Sequence, residues 1–275
     1  MNLLFNIQAP EIDTNEAHLF IEIASVRVSL IVLDKNNVFC AVVIYSFWTE
    51  INTVPHINQL NKFLQNEPLL QKQYKKTAII WNFKESILVP NECMDGTEND
   101  KMLDLVYGNL NKGDIKSDFI LNYNFHNVYR IPAVVTHAVV TKFPYAIQIH
   151  QYSLLPNFMS KKENQLLAIF YDYRVTVLLC KEGQLQLIQN FSFTNTAGAI
   201  YHLLNVCENF DVSLDTLTLQ LSGAIDKNSN LYENLCKYFS TIHFMSLPEN
   251  YKYHEEIKNY PEHFFSHLFA LATCV

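Results

Sequence analysis

One pattern of apolar runs occurs twice along the chain, and that repeat limits the possible folds more than any single motif does. Leu19-Phe20-Ile21-Glu22-Ile23 leads into Val28-Ser29-Leu30-Ile31-Val32-Leu33; the polar turn Asp34-Lys35-Asn36-Asn37 comes next, then an apolar run from Val38 to Phe47. Rich in β-branched and aromatic residues and bounded by turn chemistry, this stretch reads as three antiparallel strands in a meander. The pattern restarts at Leu166-Leu167-Ala168-Ile169-Phe170 and continues through Val175-Thr176-Val177-Leu178-Leu179. It turns at Lys181-Glu182-Gly183 and runs on from Gln184 to Phe193. Arg27-Val28-Ser29-Leu30 aligns with Arg174-Val175-Thr176-Val177, and Phe47 with Phe193, so the second copy is one turn residue shorter.

The segments after the two meanders also agree in order. In the first half Thr53 can cap a helix, Pro55 suits its first turn, and Ile57, Leu60 and Leu64 recur at helical spacing. Pro68 ends it before a buried strand at residues 77–81 and a short strand at 86–90. A polar loop over 91–99, a helix over 101–110, a strand over 119–129, a helix from Pro132 to 141 and a strand over 145–152 complete this half. In the second half Thr194 or Thr196 can cap a helix whose stripe is Ile200, Leu203, Leu204 and Cys207. Leu217, Leu219 and Leu221 alternate with polar residues in a strand ending at Ser222-Gly223. Asn230 with Glu233 resembles a capping box for a helix through Phe239; residues 241–245 form the last strand, and Pro261 opens an aromatic helix. Both halves read as meander, helix, strand, helix, strand, with a boundary between 1–150 and 151–275. The closing helix, residues 260–271, is expected to dock back on the first half through Phe264, Phe265, Leu268, Phe269 and Leu271.

Composition narrows the chemistry. Only 6 of the 275 residues are glycine, none paired, against roughly 19 at average usage. That excludes the P-loop and the dinucleotide fingerprint, which need several glycines in one loop. A formal charge of −7 argues against a nucleic-acid partner; the pairs Lys75–Lys76 and Lys161–Lys162 read as solvated ends of elements. Six cysteines without a C-x-x-C fit a reduced, cytoplasmic compartment. The N-terminus lacks a signal pattern, and no apolar run approaches the ~18–20 residues of a bilayer span, so no membrane insertion is expected.

A duplicated βββαβαβ unit is an α/β, ribonuclease-H-like plan, and it resembles the superfamily of actin, sugar kinases and heat-shock chaperone ATPases. The meanders resemble that superfamily's two phosphate-binding hairpins, most closely in the style of the actin-like platform proteins of type IV pilus assembly. With Asn127-Val128-Tyr129-Arg130-Ile131-Pro132 and Leu219-Gln220-Leu221-Ser222-Gly223, the chain is similar to an uncharacterised bacterial family, a domain of unknown function, built on a degenerate form of the plan. The resemblance implies an Asp-x-Gly opening the first hairpin, where this chain has Glu22 and Ala24. In the second hairpin the corresponding positions are Ile169 and Tyr171, with Asp172 one residue on, and a tyrosine there would fill the phosphate's space. The adenosine-side Gly-Gly is replaced by Ser222-Gly223-Ala224. If a nucleotide binds, the resemblance points to Glu22, Ser25, Ser222 and Gly223. Because surface carboxylates are common, Glu22 itself is expected to be a solvated or edge-strand group, and Gly223 a plain turn glycine.

Other chemistry is thinner. His263 and His267 stand four apart on the expected C-terminal helix, beside Glu262, but without a third ligand two imidazoles rarely hold a metal. Asp95-Gly96-Thr97-Glu98-Asn99-Asp100 lacks the EF-hand register and reads as a loop. No G-x-S-x-G elbow or cysteine nucleophile signature is present. No catalytic residue, metal or cofactor is therefore expected. The leading expectation is a non-catalytic actin-like binding or scaffold module with a protein partner. A nucleotide-binding protein or weak ATPase using ATP and magnesium in an altered cleft is the second reading. A hydrolase or transferase with a site of dispersed Cys and His residues is the third.

Overall fold

Both meanders form, and each seeds a sheet of its own. The computed structural model describes residues 1–47, 50–51, 57–94, 98–109, 113–159 and 163–275. Thr53, Pro55, Lys161, Lys162 and the stretch 95–97 of the acidic loop lie outside the described residues. The chain divides into two units: Met1–Leu154 with Asn250–Asn259 and Val275, and Leu155–Glu249 with Tyr260–Cys274.

The first unit begins with β1 (Asn2–Gln8), then β2 (His18–Ala24), β3 (Arg27–Leu33) and β4 (Val38–Ser46). Helix α1 (Asn58–Asn66) and β5 (Lys76–Asn82) come after it. Next are β6 (Ser86–Pro90), α2 (Asn99–Tyr107), β7 (Gly113–Ile120), β8 (Phe125–Pro132), α3 (Ala133–Lys142), β9 (Ile147–His150) and the single turn α4 (Gln151–Leu154). The main sheet runs β1-β4-β3-β2-β5-β9. Strands β2, β3 and β4 are antiparallel, whereas β5 lies parallel to β2 and β9 parallel to β5. Alternation decides which side chains face the helices: Ile21, Ile23, Leu30, Ile79 and Trp81 meet Leu60 and Phe63 of α1 and Val135 and Val139 of α3 in one core. Each such fully buried side chain contributes about 1.5–3 kcal/mol. The strand expected over 119–129 is instead a hairpin of β7 and β8, because Asn124 takes a left-handed conformation (φ 54°) and reverses the chain. With β6 this hairpin makes a three-stranded sheet, β6-β8-β7, inserted before α3.

The second unit repeats the plan: β10 (Gln165–Phe170), β11 (Arg174–Lys181), β12 (Gln184–Ser192), α5 (Thr196–Asn209), β13 (Thr218–Gly223), α6 (Asn230–Leu235) and β14 (Thr241–Phe244). Its sheet runs β12-β11-β10-β13-β14, with β13 parallel to β10 and β14 parallel to β13. The fold is a duplicated ribonuclease-H-like α/β architecture. The shorter turn has a physical cause, since Glu182 (φ 53°) and Gly183 (φ 75°) make a two-residue hairpin of the kind that matches strand twist. Both caps differ from expectation. Asn195, not a threonine, caps α5 by accepting from the Gly198 N–H, and Ser229, not Asn230, caps α6 by accepting from Tyr232.

The chain then returns to the first unit, where β15 (Lys252–Tyr253) pairs in parallel with Val38–Phe39 of β4 and leads into α7 (Glu255–Lys258). The closing helix α8 (Ser266–Thr273) groups with the second unit, the half in which the sequence places it. Ser222 on β13 is the reason: its hydroxyl bonds to the His263 carbonyl, the Ser266 hydroxyl and the His267 ring.

Candidate functional site

The residues that would handle a nucleotide in an active relative all have defined surroundings. Glu22 is not the solvated carboxylate expected. It lies on β2, flanked by β3 and β5, on the sheet face opposite Ile21 and Ile23, and only 1% of it is exposed. Oε2 accepts from the Ser29 hydroxyl at 2.9 Å and Oε1 from the Asn82 amide at 2.8 Å. Ser29 stands directly across the β2–β3 ladder from Glu22, and Asn82 ends β5 opposite Ala24. Ala24 is itself buried, and Ser25 beyond it is half-buried with its carbonyl accepting from the Ile51 N–H. Flanking strands cover only the edges of β2; both of its faces are buried as well, which is what hides the polar residue in its alternation.

The second hairpin holds no carboxylate at the matching place. Ile169 is fully buried, and Thr176, which aligns with Ser29, donates to Asn190 at 2.5 Å. Tyr171 is buried in the hairpin turn, with the Arg174 guanidinium 4.8 Å over its ring and the His267 ring edge-on at 5.8 Å. Gly223 (φ 84°) is fixed by its own neighbour: a Cβ there would stand 2.2 Å from the Phe170 carbonyl oxygen, which accepts from the Ala224 N–H.

His263 and His267 do not make a helical pair. His263 lies in the single turn Glu262–Phe264 that precedes α8, and its Nε2–H donates to the Ile225 carbonyl at 2.7 Å. Burial holds its pKa below the usual histidine value. His267 Nδ1 faces Ser222 instead. Cys40, Cys180 and Cys207 are packed in the interior, and burial pushes the Cys40 and Cys207 thiols up to about 11, the wrong direction for a nucleophile, whereas Cys93 and Cys236 are exposed.

A buried polar cluster that sequence reasoning did not name joins the inserted sheet to the rest of the first unit. Asp118 on β7 accepts from Tyr129 at 3.1 Å, from Ser153 at 2.7 Å and from the His150 backbone N–H at 2.8 Å. Burial raises its pKa against those donors and the nearby Lys116. Asn127 receives the Ser86 hydroxyl and donates to Ser153. Arg130 pairs with Glu85 at 3.1 Å and with Asp104, and also donates to the Gly108 carbonyl. Both ring nitrogens of His150 are engaged away from Ser153, Nδ1 accepting from the Tyr152 N–H and Nε2–H donating to the Phe83 carbonyl. Its polar members Asn127, Tyr129 and Arg130 are those of the Asn127–Pro132 segment singled out by resemblance.

Comparison with known proteins agrees with this architecture. A Bacteroides thetaiotaomicron protein with actin-like ATPase fold and unknown function superposes with a TM-score of 0.76 at 18% identity, over 96% of this chain and 100% of that one. The PilM–PilN type IV pilus biogenesis complex matches at 0.61 and 12%, over 95% and 98% of the chains. The ethanolamine utilization protein EutJ from Carboxydothermus hydrogenoformans matches at 0.51 and 9%, over 97% and 92%. At such identities the likeness is one of fold. No curated protein matches the sequence, and among the described residues no helix is long and apolar enough to cross a membrane. The profile of the family described as "Protein of unknown function (DUF3822)" covers residues 8–242, and with the actin-like ATPase fold in place the chain belongs to that family.

Proposed function

We propose that this protein is a non-catalytic actin-like binding or scaffold module whose nucleotide site is degenerate, with another protein as its partner. The observation that carries the reading is Glu22, whose two carboxylate oxygens are engaged by Ser29 and Asn82 inside the sheet. A carboxylate that handles a metal must offer oxygen to the ion, and here withdrawing Glu22 would leave two buried donors unmatched. Ala24 adds a Cβ where backbone must approach phosphate, and Tyr171 occupies the second hairpin turn. PilM, a protein of this fold, occurs in complex with PilN, which favours a protein partner for this chain as well.

Thermal melting with and without ATP and magnesium tests it. A chain binding ATP with a Kd of about 10 μM gains roughly 2.7 kcal/mol at about 1 mM ligand, a clear rise in Tm. The expected outcome is an unchanged Tm. A rise that vanishes in Glu22→Gln would overturn the reading in favour of a working nucleotide site.

A further inference from the structure

Helices α1 and α3 lie side by side on the first unit's sheet and leave an open groove of about 710 Å3 between them. Ile57 and Leu64 of the α1 segment and Val134 and Ala138 of α3 form its apolar floor, with His137 and Lys142 at the rim. We infer that this groove docks an amphipathic α-helix of a partner protein, apolar on the face it buries and acidic where it passes Lys142.

Three features select that occupant. Beyond their first turns both walls are helices whose N–H groups are satisfied internally, so an extended peptide would find no continuous ladder to join and would bury most of its own backbone unpaired. A helix brings its backbone already bonded, and Ala133 and Ala138 leave room for its close approach. Length also fits, because the ten residues of α3 span about 15 Å, roughly three turns of a docked helix. Charge gives the polarity. Within a chain of net charge −7, the groove is lined by Lys142 and by no carboxylate. Among the described residues Lys142 meets no acidic partner, and it is held at the rim by the Gln71 side chain at 2.9 Å. The docking goes beyond the scaffold reading, since a nucleotide-binding chain could carry the same groove.

The test uses the full chain and three labelled synthetic peptides of about 14 residues, read by fluorescence anisotropy. One is a stapled helix with Leu and Ala on one face and Glu on the other; the second has Lys for Glu; the third is the Glu peptide with two central prolines and no staple. The Glu helix should bind, the Lys helix about three- to fivefold more weakly, and the proline peptide not at all. Lys142→Glu should reverse the preference between the first two, and Ala138→Trp should weaken the Glu helix at least about tenfold with an unchanged Tm. If Ala138→Trp does not fold, the reversal in Lys142→Glu decides alone. The inference falls if no peptide binds, if the proline peptide binds equally, or if Lys142→Glu leaves the preference as it was. It falls also if the peptide-free chain sediments as a dimer that Ala138→Trp dissolves, which gives the groove to a second copy. Repeating the titration with ATP and magnesium keeps the two readings apart, since groove binding should be the same in either case.

Discussion

Glu22 stands where a buried charge has two donors aimed at it, and its substitutions should separate by hydrogen-bonding capacity. Gln keeps one acceptor, and Asn82 can turn its amide to offer an oxygen to the new N–H, so Glu22→Gln should cost about 1 kcal/mol in urea unfolding. Glu22→Leu strands both Ser29 and Asn82 and should cost about 2–4 kcal/mol. Equal losses for the two variants would show that the hydrogen bonds are not what Glu22 supplies. His263 is the second residue whose burial can be read in solution. Its folded pKa is depressed, so as pH falls the unfolded chain takes up a proton first, near 6.5. Its contribution to stability is therefore complete above that pH and is lost as pH falls through the lower folded value. Tm should drop as pH falls below about 6.5, and His263→Gln should flatten the drop to the slope left by His18, also held low by burial. Neither environment was legible from the residue type. Glu22 sits in a strand whose apolar run was plain, but which face a carboxylate takes depends on strands 7 and 60 residues away.

Elements made of contiguous alternation were the legible part of this fold. The meanders, β5, β13 and β14 announce themselves because their apolar residues must all be buried within one short run. The inserted sheet was harder, since its β6 and β8 pair across about forty residues and its core is small, built on Val89, Leu103 and Val128. It leans on polar contacts instead, and Arg130 is the chief of them. Removing the guanidinium takes the cation away from the buried Glu85 carboxylate, itself 6% exposed. Arg130→Met should then cost about 3–5 kcal/mol in denaturant unfolding. The double variant with Glu85→Met should recover much of that, because both ends of the pair are then apolar. Hydrogen exchange should locate the loss in β6, β7 and β8; an even loss across both sheets would contradict the clamp. The caps of α5 and α6 were missed by one residue each, a difference that rests on φ and ψ at Asn195 and Ser229 rather than on composition.

At the scale of the chain, duplication was readable but the path was not. The polypeptide leaves the first unit after Leu154, re-enters it at Asn250 and leaves again at Tyr260. The returning piece is short and polar, with no run long enough to signal a strand, yet β15 completes the first unit's sheet at Val38–Phe39. Two rings hold it there: Tyr253 stacks on Phe39 at 5.4 Å and 18°, and Tyr251 lies at 5.3 Å. Aromatic pairs of this kind contribute about 0.5–1.5 kcal/mol each beyond burial. Cutting the chain between 154 and 155 therefore does not produce two complete units. Fragment 1–154 loses the cover over Phe39, while fragment 155–275 carries the missing strand as an unpaired strap. Co-expressed, the two should copurify, and the melting temperature of 1–154 alone should lie below that of the reconstituted pair. Tyr251→Ala with Tyr253→Ala in the longer fragment should weaken the association by about tenfold or more, given two such contacts. Copurification that ignores both substitutions would remove β15 from the account of what holds the two pieces of chain together.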